Sequence, residues 1–175
     1  MPAIGGLVDF KVGDKVVYPN HGVGVIEEVL RTQAGGTDQA FFRLRIVANG
    51  STVLIPTANT IQVGLRKVLT RKDVDKVYKV LRNGNIDITS DWKGRFQEHS
   101  DKMRSGNIYE VAAVLKSLTL LSKSKNLSYR ERKMLDKSKY LVVSEIASVS
   151  NMEETEVEQR VDRAVAVSIK KPRDH

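Results

Sequence analysis

The segment Asp91-Trp92-Lys93-Gly94-Arg95 places the chain's single indole within three residues of two cations. A flat aromatic ring beside Lys and Arg suits a surface laid against nucleic acid, with the cations neutralising nearby phosphates. An apolar side chain inserted at a base step is also a way to grip distorted DNA. The competing reading is that a lone Trp anchors a core, and the local sequence leaves both open. A second basic group follows at Arg130, Arg132, Lys133, Lys137 and Lys139. Positions 132, 133 and 137 do not all lie on the apolar stripe of their helix, so they face solvent or phosphate. No array of Asn, Gln and Arg suggests a helix that reads base edges, so sequence-independent or shape-dependent binding is expected.

Catalytic chemistry finds little support. The histidines, His21, His99 and His175, share no ligand spacing, and there is no HExxH, P-loop or GxSxG pattern. Asp73 and Asp75 stand two apart on an expected helix and therefore point in different directions. The absence of Cys excludes disulfides, thiolate metal sites and thiol nucleophiles. The expectation is a protein that is not an enzyme, with no metal, no cofactor and no small-molecule substrate. No run approaches the ~20 apolar residues needed to span a bilayer, so a cytoplasmic protein without membrane partners is expected.

The elements that must carry these residues change character near Gly64. Before it lie short β-branched runs: Lys15 to Tyr18 stopping at Pro19-Asn20-His21-Gly22, then Val23 to Leu30, Gln39 to Val47, and Thr52 to Ile55 closed by Pro56. Asn49-Gly50 reads as a type I′ hairpin, which needs positive φ at both central positions. Four or five strands in so short a span predict a strongly bent sheet or barrel. Beyond Gly64 the period is helical. Arg71 to Leu81 aligns Val74, Val77, Tyr78 and Leu81, and Asp91 or Ser90 caps a helix aligning Trp92, Phe96 and Met103. Ile86 to Thr89 reads as a linker. Ser105-Gly106-Asn107 opens a helix striped by Ile108, Val111, Ala112, Leu115 and Leu118. Ser128-Tyr129-Arg130-Glu131 is a capping box, and the helix behind it is expected to bury Leu135, Val142, Ile146 and Val149. A last helix is predicted from about Asn151–Glu154 to about Ile169, and residues 170–175 read as frayed.

Charge follows the same division. The formal net charge is +8. Residues 1–64 hold five basic and five acidic side chains, residues 65–150 hold 19 and 10, and residues 151–175 hold five and six. The middle of the chain is thus the part that suits a polyanion. The neutral β part suits a protein partner, reached through an exposed edge strand.

Beyond these patterns, residues 10–24, Phe10-Lys11-Val12-Gly13-Asp14-Lys15-Val16-Val17-Tyr18-Pro19-Asn20-His21-Gly22-Val23-Gly24, closely resemble the opening of the CarD/CdnL family of bacterial RNA polymerase-binding regulators. The resemblance continues through Val53-Leu54-Ile55-Pro56, Val63-Gly64-Leu65-Arg66, Asp91-Trp92-Lys93-Gly94-Arg95 and Leu141-Val142-Val143-Ser144-Glu145, over roughly residues 8–150. It is closer to CdnL-type members, because the founder's long C-terminal extension is absent. It implies an α+β protein with a Tudor-like, SH3-like N-terminal β-barrel at 1–66 and an all-α helical bundle at 67–175. The first would bind the β-subunit lobe of RNA polymerase, with Leu54 and the neighbourhood of Arg31 in contact. The second would touch promoter DNA in the minor groove at the upstream edge of the bubble. There Trp92 would act as a wedge, with Lys93, Arg95, Arg132 and Lys133 around it, stabilising the open complex. Some relatives carry Arg at the position of Leu54 and a cation at that of Gln97. The other functional reading is a general nucleic-acid or ribosome-associated protein with a KOW-like β module.

Overall fold

The computed structural model describes residues 10–86 and 91–170. The expected linker beyond Ile86, the alternative cap Ser90, His175 and most of the expected frayed end lie outside the described residues. The chain divides into two compact units after Val68. The boundary expected after Arg66 falls slightly early because Arg66–Lys67 still form a strand.

The first unit is an antiparallel sheet of five strands: β1 (Lys15–Tyr18), β2 (Gly22–Ala34), β3 (Thr37–Ile46), β4 (Thr52–Pro56) and β5 (Arg66–Lys67). Their order is β4-β3-β2-β1-β5. The expected barrel is corrected here to an open sheet, since β4 and β5 stand at opposite edges and do not pair. Curvature comes from an irregularity in register between Ile26 and Glu28 on β2, which bends a strand and strengthens its twist. One face buries Phe10, Val16, Ile26, Phe42, Leu44, Ile46, Ile55 and Leu65. Gly24 is required there, because a Cβ would come within 2.8 Å of Leu44 Cδ1 and 3.1 Å of the Arg45 carbonyl.

The turns depart from expectation. The tight two-residue hairpin is Gly35-Gly36, with φ of 67° and 79°, joining β2 directly to β3. Both positions need the left-handed region that glycine enters freely. At Asn49-Gly50 only Gly50 has positive φ (70°). That connection is a longer loop in which Asn49 Oδ1 accepts from the Ser51 N–H at 3.0 Å, so the expected type I′ turn is not formed there.

The second unit has five helices: α1 (Arg71–Arg82), α2 (Trp92–Arg104), α3 (Ile108–Ser124), α4 (Tyr129–Ser150) and α5 (Glu154–Lys170). Thr70 and Asp73 form a full capping box at α1, and Asn107 caps α3 by accepting from the Tyr109 N–H at 2.9 Å. The core draws on Val74, Val77 and Leu81 of α1, the whole α3 stripe, Val142 and Ile146 of α4, and Val157 and Val161 of α5. Each fully buried side chain of this kind contributes about 1.5–3 kcal/mol. On α4 the expected Leu135 and Val149 are only partly buried, at the margin of that core.

Two buried polar groups tie the connections to this core. Glu145, 2% exposed on α4, accepts from the Leu69 N–H at 2.9 Å and so holds the entry to α1. Lys116, 2% exposed on α3, donates to Asn83 Oδ1 at 2.8 Å and to the Asn85 carbonyl at 3.1 Å. A cation at the C-terminal end of α1 also suits the helix dipole. Burial pushes the Lys116 pKa down to about 8. The unfolded chain therefore binds more protons than the folded one between pH 8 and the ordinary lysine value, and stability rises with pH across that window. Relative to Lys116→Met, the wild type should gain on the order of 2–3 kcal/mol between pH 8 and about 10.5. Denaturant titrations at the two pH values measure it, and parallel behaviour of the two proteins would refute it.

Candidate nucleic-acid interface

Helix α2 starts where Asp91 caps it, its carboxylate accepting from the Gly94 N–H at 3.2 Å. Of the expected apolar alignment of Trp92, Phe96 and Met103, only Met103 falls on the face that the bundle covers. The covered face is Arg95, His99 and Met103, at 1%, 4% and 4% exposure. Burial is the leading influence on His99, holding its pKa below the ordinary imidazole value. Trp92 remains 39% exposed, and its ring stacks on Phe96 with centroids 5.5 Å apart and planes 14° from parallel. The indole is thus backed on one side by Phe96 rather than sealed in a core.

Glu131 sets the position of this stack. It is 2% exposed at the first turn of α4. Its Oε1 accepts from Trp92 Nε1 at 3.1 Å and from the Ser128 hydroxyl at 3.3 Å. Its Oε2 accepts from Arg95 Nε at 3.1 Å in an ion pair sealed on both sides. The Ser128 hydroxyl in turn accepts from the Glu131 N–H at 3.2 Å, capping the helix. Burial pushes the Glu131 pKa up, but the bond and charge of Arg95, with those from Ser128, prevail and hold it below the usual carboxylate value.

This corrects the expectation for Arg95. Its guanidinium is buried against Glu131, three positions on from Trp92 and turned toward the bundle, so it is not presented to a phosphate. It is a positioning residue. Lys93, Arg132 and Lys133 are exposed as a phosphate-binding role requires. Arg130 of the second basic group and Tyr129 of the expected capping box also lie here, beside Phe96 and Lys133 respectively. Arg130 lies over the Phe96 ring, 5.8 Å from its centroid. Tyr129 is 73% exposed, with Lys133 Nζ 4.8 Å from its ring centre. The four-residue spacing of Trp92 and Phe96 carried the signal for their stacking, whereas nothing local pointed to the long-range contact with Glu131.

In the sheet unit, Leu54 is 52% exposed on edge strand β4. It pairs with Arg43, whose other neighbour is Glu28, linked to it by an ion pair of 2.9 Å. Arg31 pairs with Ala40, further along the β2–β3 hairpin than β4 reaches. By strand alternation Arg31 falls on the face of Val29 and Phe42, opposite to that of Leu54. The two expected polymerase contacts therefore do not share a face. Among the described residues no group of His, Asp and Glu could hold a metal, and no helix is long and apolar enough to cross a membrane.

Comparison with known proteins accounts for both units. Residues 10–69 match the CarD-like/TRCF RID domain, and residues 76–162 match the CarD C-terminal domain. The candidate transcription factor YdeB of Bacillus subtilis (strain 168) is 30% identical over 148 residues, spanning 85% of this chain and 97% of YdeB. The chain belongs to the CarD/CdnL family. A solution NMR structure of the 72-residue N-terminal domain of Myxococcus xanthus CarD is 31% identical, covering 38% of this chain and 89% of that domain with a TM-score of 0.30. In this CarD/CdnL chain the C-terminal match ends at Asp162, so the last two turns of α5 lie beyond it.

Removing one partner of a buried ion pair leaves the other charge stranded, which costs about 3–5 kcal/mol. Glu131→Ala should lose about that much at neutral pH. Because the Glu131 pKa is depressed by folding, its contribution is present above the unfolded carboxylate value near 4.3 and lost as pH falls through the folded value. The gap between wild type and variant should accordingly narrow on acidification. Denaturant midpoints at pH 7 and pH 3 check both statements, and a gap that widened in acid would reject them.

Proposed function

We propose that this transcription regulator docks on the RNA polymerase β-subunit lobe through its sheet unit and stabilises the promoter open complex through Trp92. It would act in the cytoplasm, reaching the nucleoid through the polymerase. The observation that carries the proposal is the state of the indole. Its N–H is bonded to Glu131, one side is stacked on Phe96, and exposed Lys93, Arg130, Arg132 and Lys133 belong to the same helix starts. A ring in that state offers an apolar surface but no hydrogen-bond donor, so it suits a wedge in the minor groove at a distorted or unstacked step better than a reader of base edges. The surrounding cations supply the phosphate contacts that fix its place without sequence information.

Docking through the sheet unit would raise the concentration of the helical unit at the promoter. Only a difference in affinity between open and closed states can then shift the equilibrium. A differential of about 1.4 kcal/mol corresponds to a tenfold change. Leu54 is suited to the protein contact because it is an exposed apolar side chain on a strand whose outer edge can take a further strand. Arg31, on the other face, would make at most a separate contact.

Trp92→Ala should shorten the open-complex lifetime by up to about tenfold while leaving polymerase binding intact; equal lifetimes in a competitor-challenge assay would exclude the wedge. Leu54→Asp should do the converse, weakening capture of the full-length chain by polymerase without altering its own stability. Tight, salt-sensitive RNA binding that needs no polymerase would favour the general nucleic-acid-binding reading instead.

A further inference from the structure

The charges of α5 are sorted by face. Glu158 and Asp162 turn toward α4 and both pair with Lys139 Nζ, at 3.2 Å and 2.9 Å. Arg160 and Arg163 turn the other way, toward α1. Together with Arg82 they line an open cleft of about 460 Å³ between α1 and α5, whose wall also includes Tyr78 and Val167. The helices forming it are held by a shared core that includes Val77, Leu81, Val157 and Val161, so the cleft is fixed before any ligand arrives.

The three guanidiniums are poorly neutralised. Arg160 has a 3.6 Å contact with Glu156, both about half-exposed, an arrangement of little strength in water. Arg82 and Arg163 carry no ion pair among the described residues. One carboxylate, Asp75, lines the cleft against them. Burial pushes the Tyr78 pKa up, against the opposing influence of Arg160 and Arg82, so the phenol remains a neutral donor at the cleft wall. Carboxylates on the same helix could have closed these arginines off, yet two of them serve α4. Planar guanidiniums left available on two fixed helices match the oxygens of a phosphate ester.

We propose that the α1–α5 cleft is a second phosphate-binding site of the helical unit, with Arg82, Arg160 and Arg163 gripping the backbone of duplex DNA. This rests on the helical unit being the DNA-contacting part, and adds a contact away from the face around Trp92. The openness of the cleft and the exposure of all three arginines suit a backbone passing over it rather than an enclosed small molecule. Such a contact is indifferent to sequence and lengthens the footprint of the unit on DNA. It also gives a role to the end of α5, where Arg163 lies beyond the matched C-terminal domain.

The test is a titration of the full-length chain onto a labelled duplex from about 50 to 200 mM salt. Each phosphate contact contributes about 0.9 to the slope of log affinity against log salt. The double variant Arg82→Gln/Arg163→Gln should lower that slope by about 1.8 and weaken binding alike on unrelated sequences, while the corresponding Lys double variant keeps most of it. An unchanged slope in the Gln double variant, with its melting temperature intact, overturns this proposal alone. A wild type that binds no duplex at all likewise overturns the cleft proposal alone, because the wedge at Trp92 acts on the open complex and is tested there by the lifetime of the Trp92→Ala variant. Pyrophosphate or ATP binding lost in the Gln variant, with DNA binding unaffected, would make the cleft a small-anion site and also overturn the proposal.

Discussion

The helical unit turns on one buried carboxylate. Glu131 faces three donors from two other places in the chain and its own cap: the Trp92 indole, the Arg95 guanidinium and the Ser128 hydroxyl. Sealing an ion pair away from water carries a desolvation cost that an apolar pair would avoid. What it provides here is geometry, because a bond to each of two side chains on α2 fixes both the rotation and the axial position of that helix against the start of α4. An apolar contact would hold the helices together but would tolerate a turn of the indole. The physical role of Arg95 follows: it acts on the surface through Glu131, not by reaching out of it.

The two units distribute chemistry differently. The sheet unit is balanced in charge and offers open edges, with Leu54 exposed on one of them. Its outer face is crossed by ion pairs such as Arg43 with Glu28, which are too exposed to hold the fold but are suited to choosing among partners. The helical unit collects cations at helix starts and along one face of α5. Net charge along the sequence identified the first of these concentrations and concealed the second, because the final segment sums nearly to neutrality.

Much of the architecture was readable because it rests on local chemistry. Caps at Asp91, Asn107 and Ser128 need only the adjacent backbone, and the α3 stripe from Ile108 to Leu118 needs only helical spacing. What failed required knowledge of remote neighbours. Arg95 looks like a phosphate ligand because a long cation is usually exposed, and only a carboxylate thirty-six positions away reverses that. Barrel closure depends on whether β4 meets β5, which no pattern within either strand determines. Asn49-Gly50 has the residues for a tight turn, but the side chain of Asn49 bonds to Ser51 instead, and the tight turn passes to Gly35-Gly36. At the candidate interface the grouping of Trp92 with Lys93 was legible, but local sequence left the burial of the ring open. The stack beneath it and the latch that holds it were not legible.

The single indole has one more consequence. Its emission is sensitive to the polarity around the ring and to whether its N–H is bonded, and no second tryptophan dilutes the signal. Excited at the red edge, where tyrosine is silent, the unlabelled protein therefore emits only from this one half-exposed ring. The latch to Glu131 and the platform of Phe96 are built around a native optical probe, and a partner covering that ring changes its colour without any dye being attached.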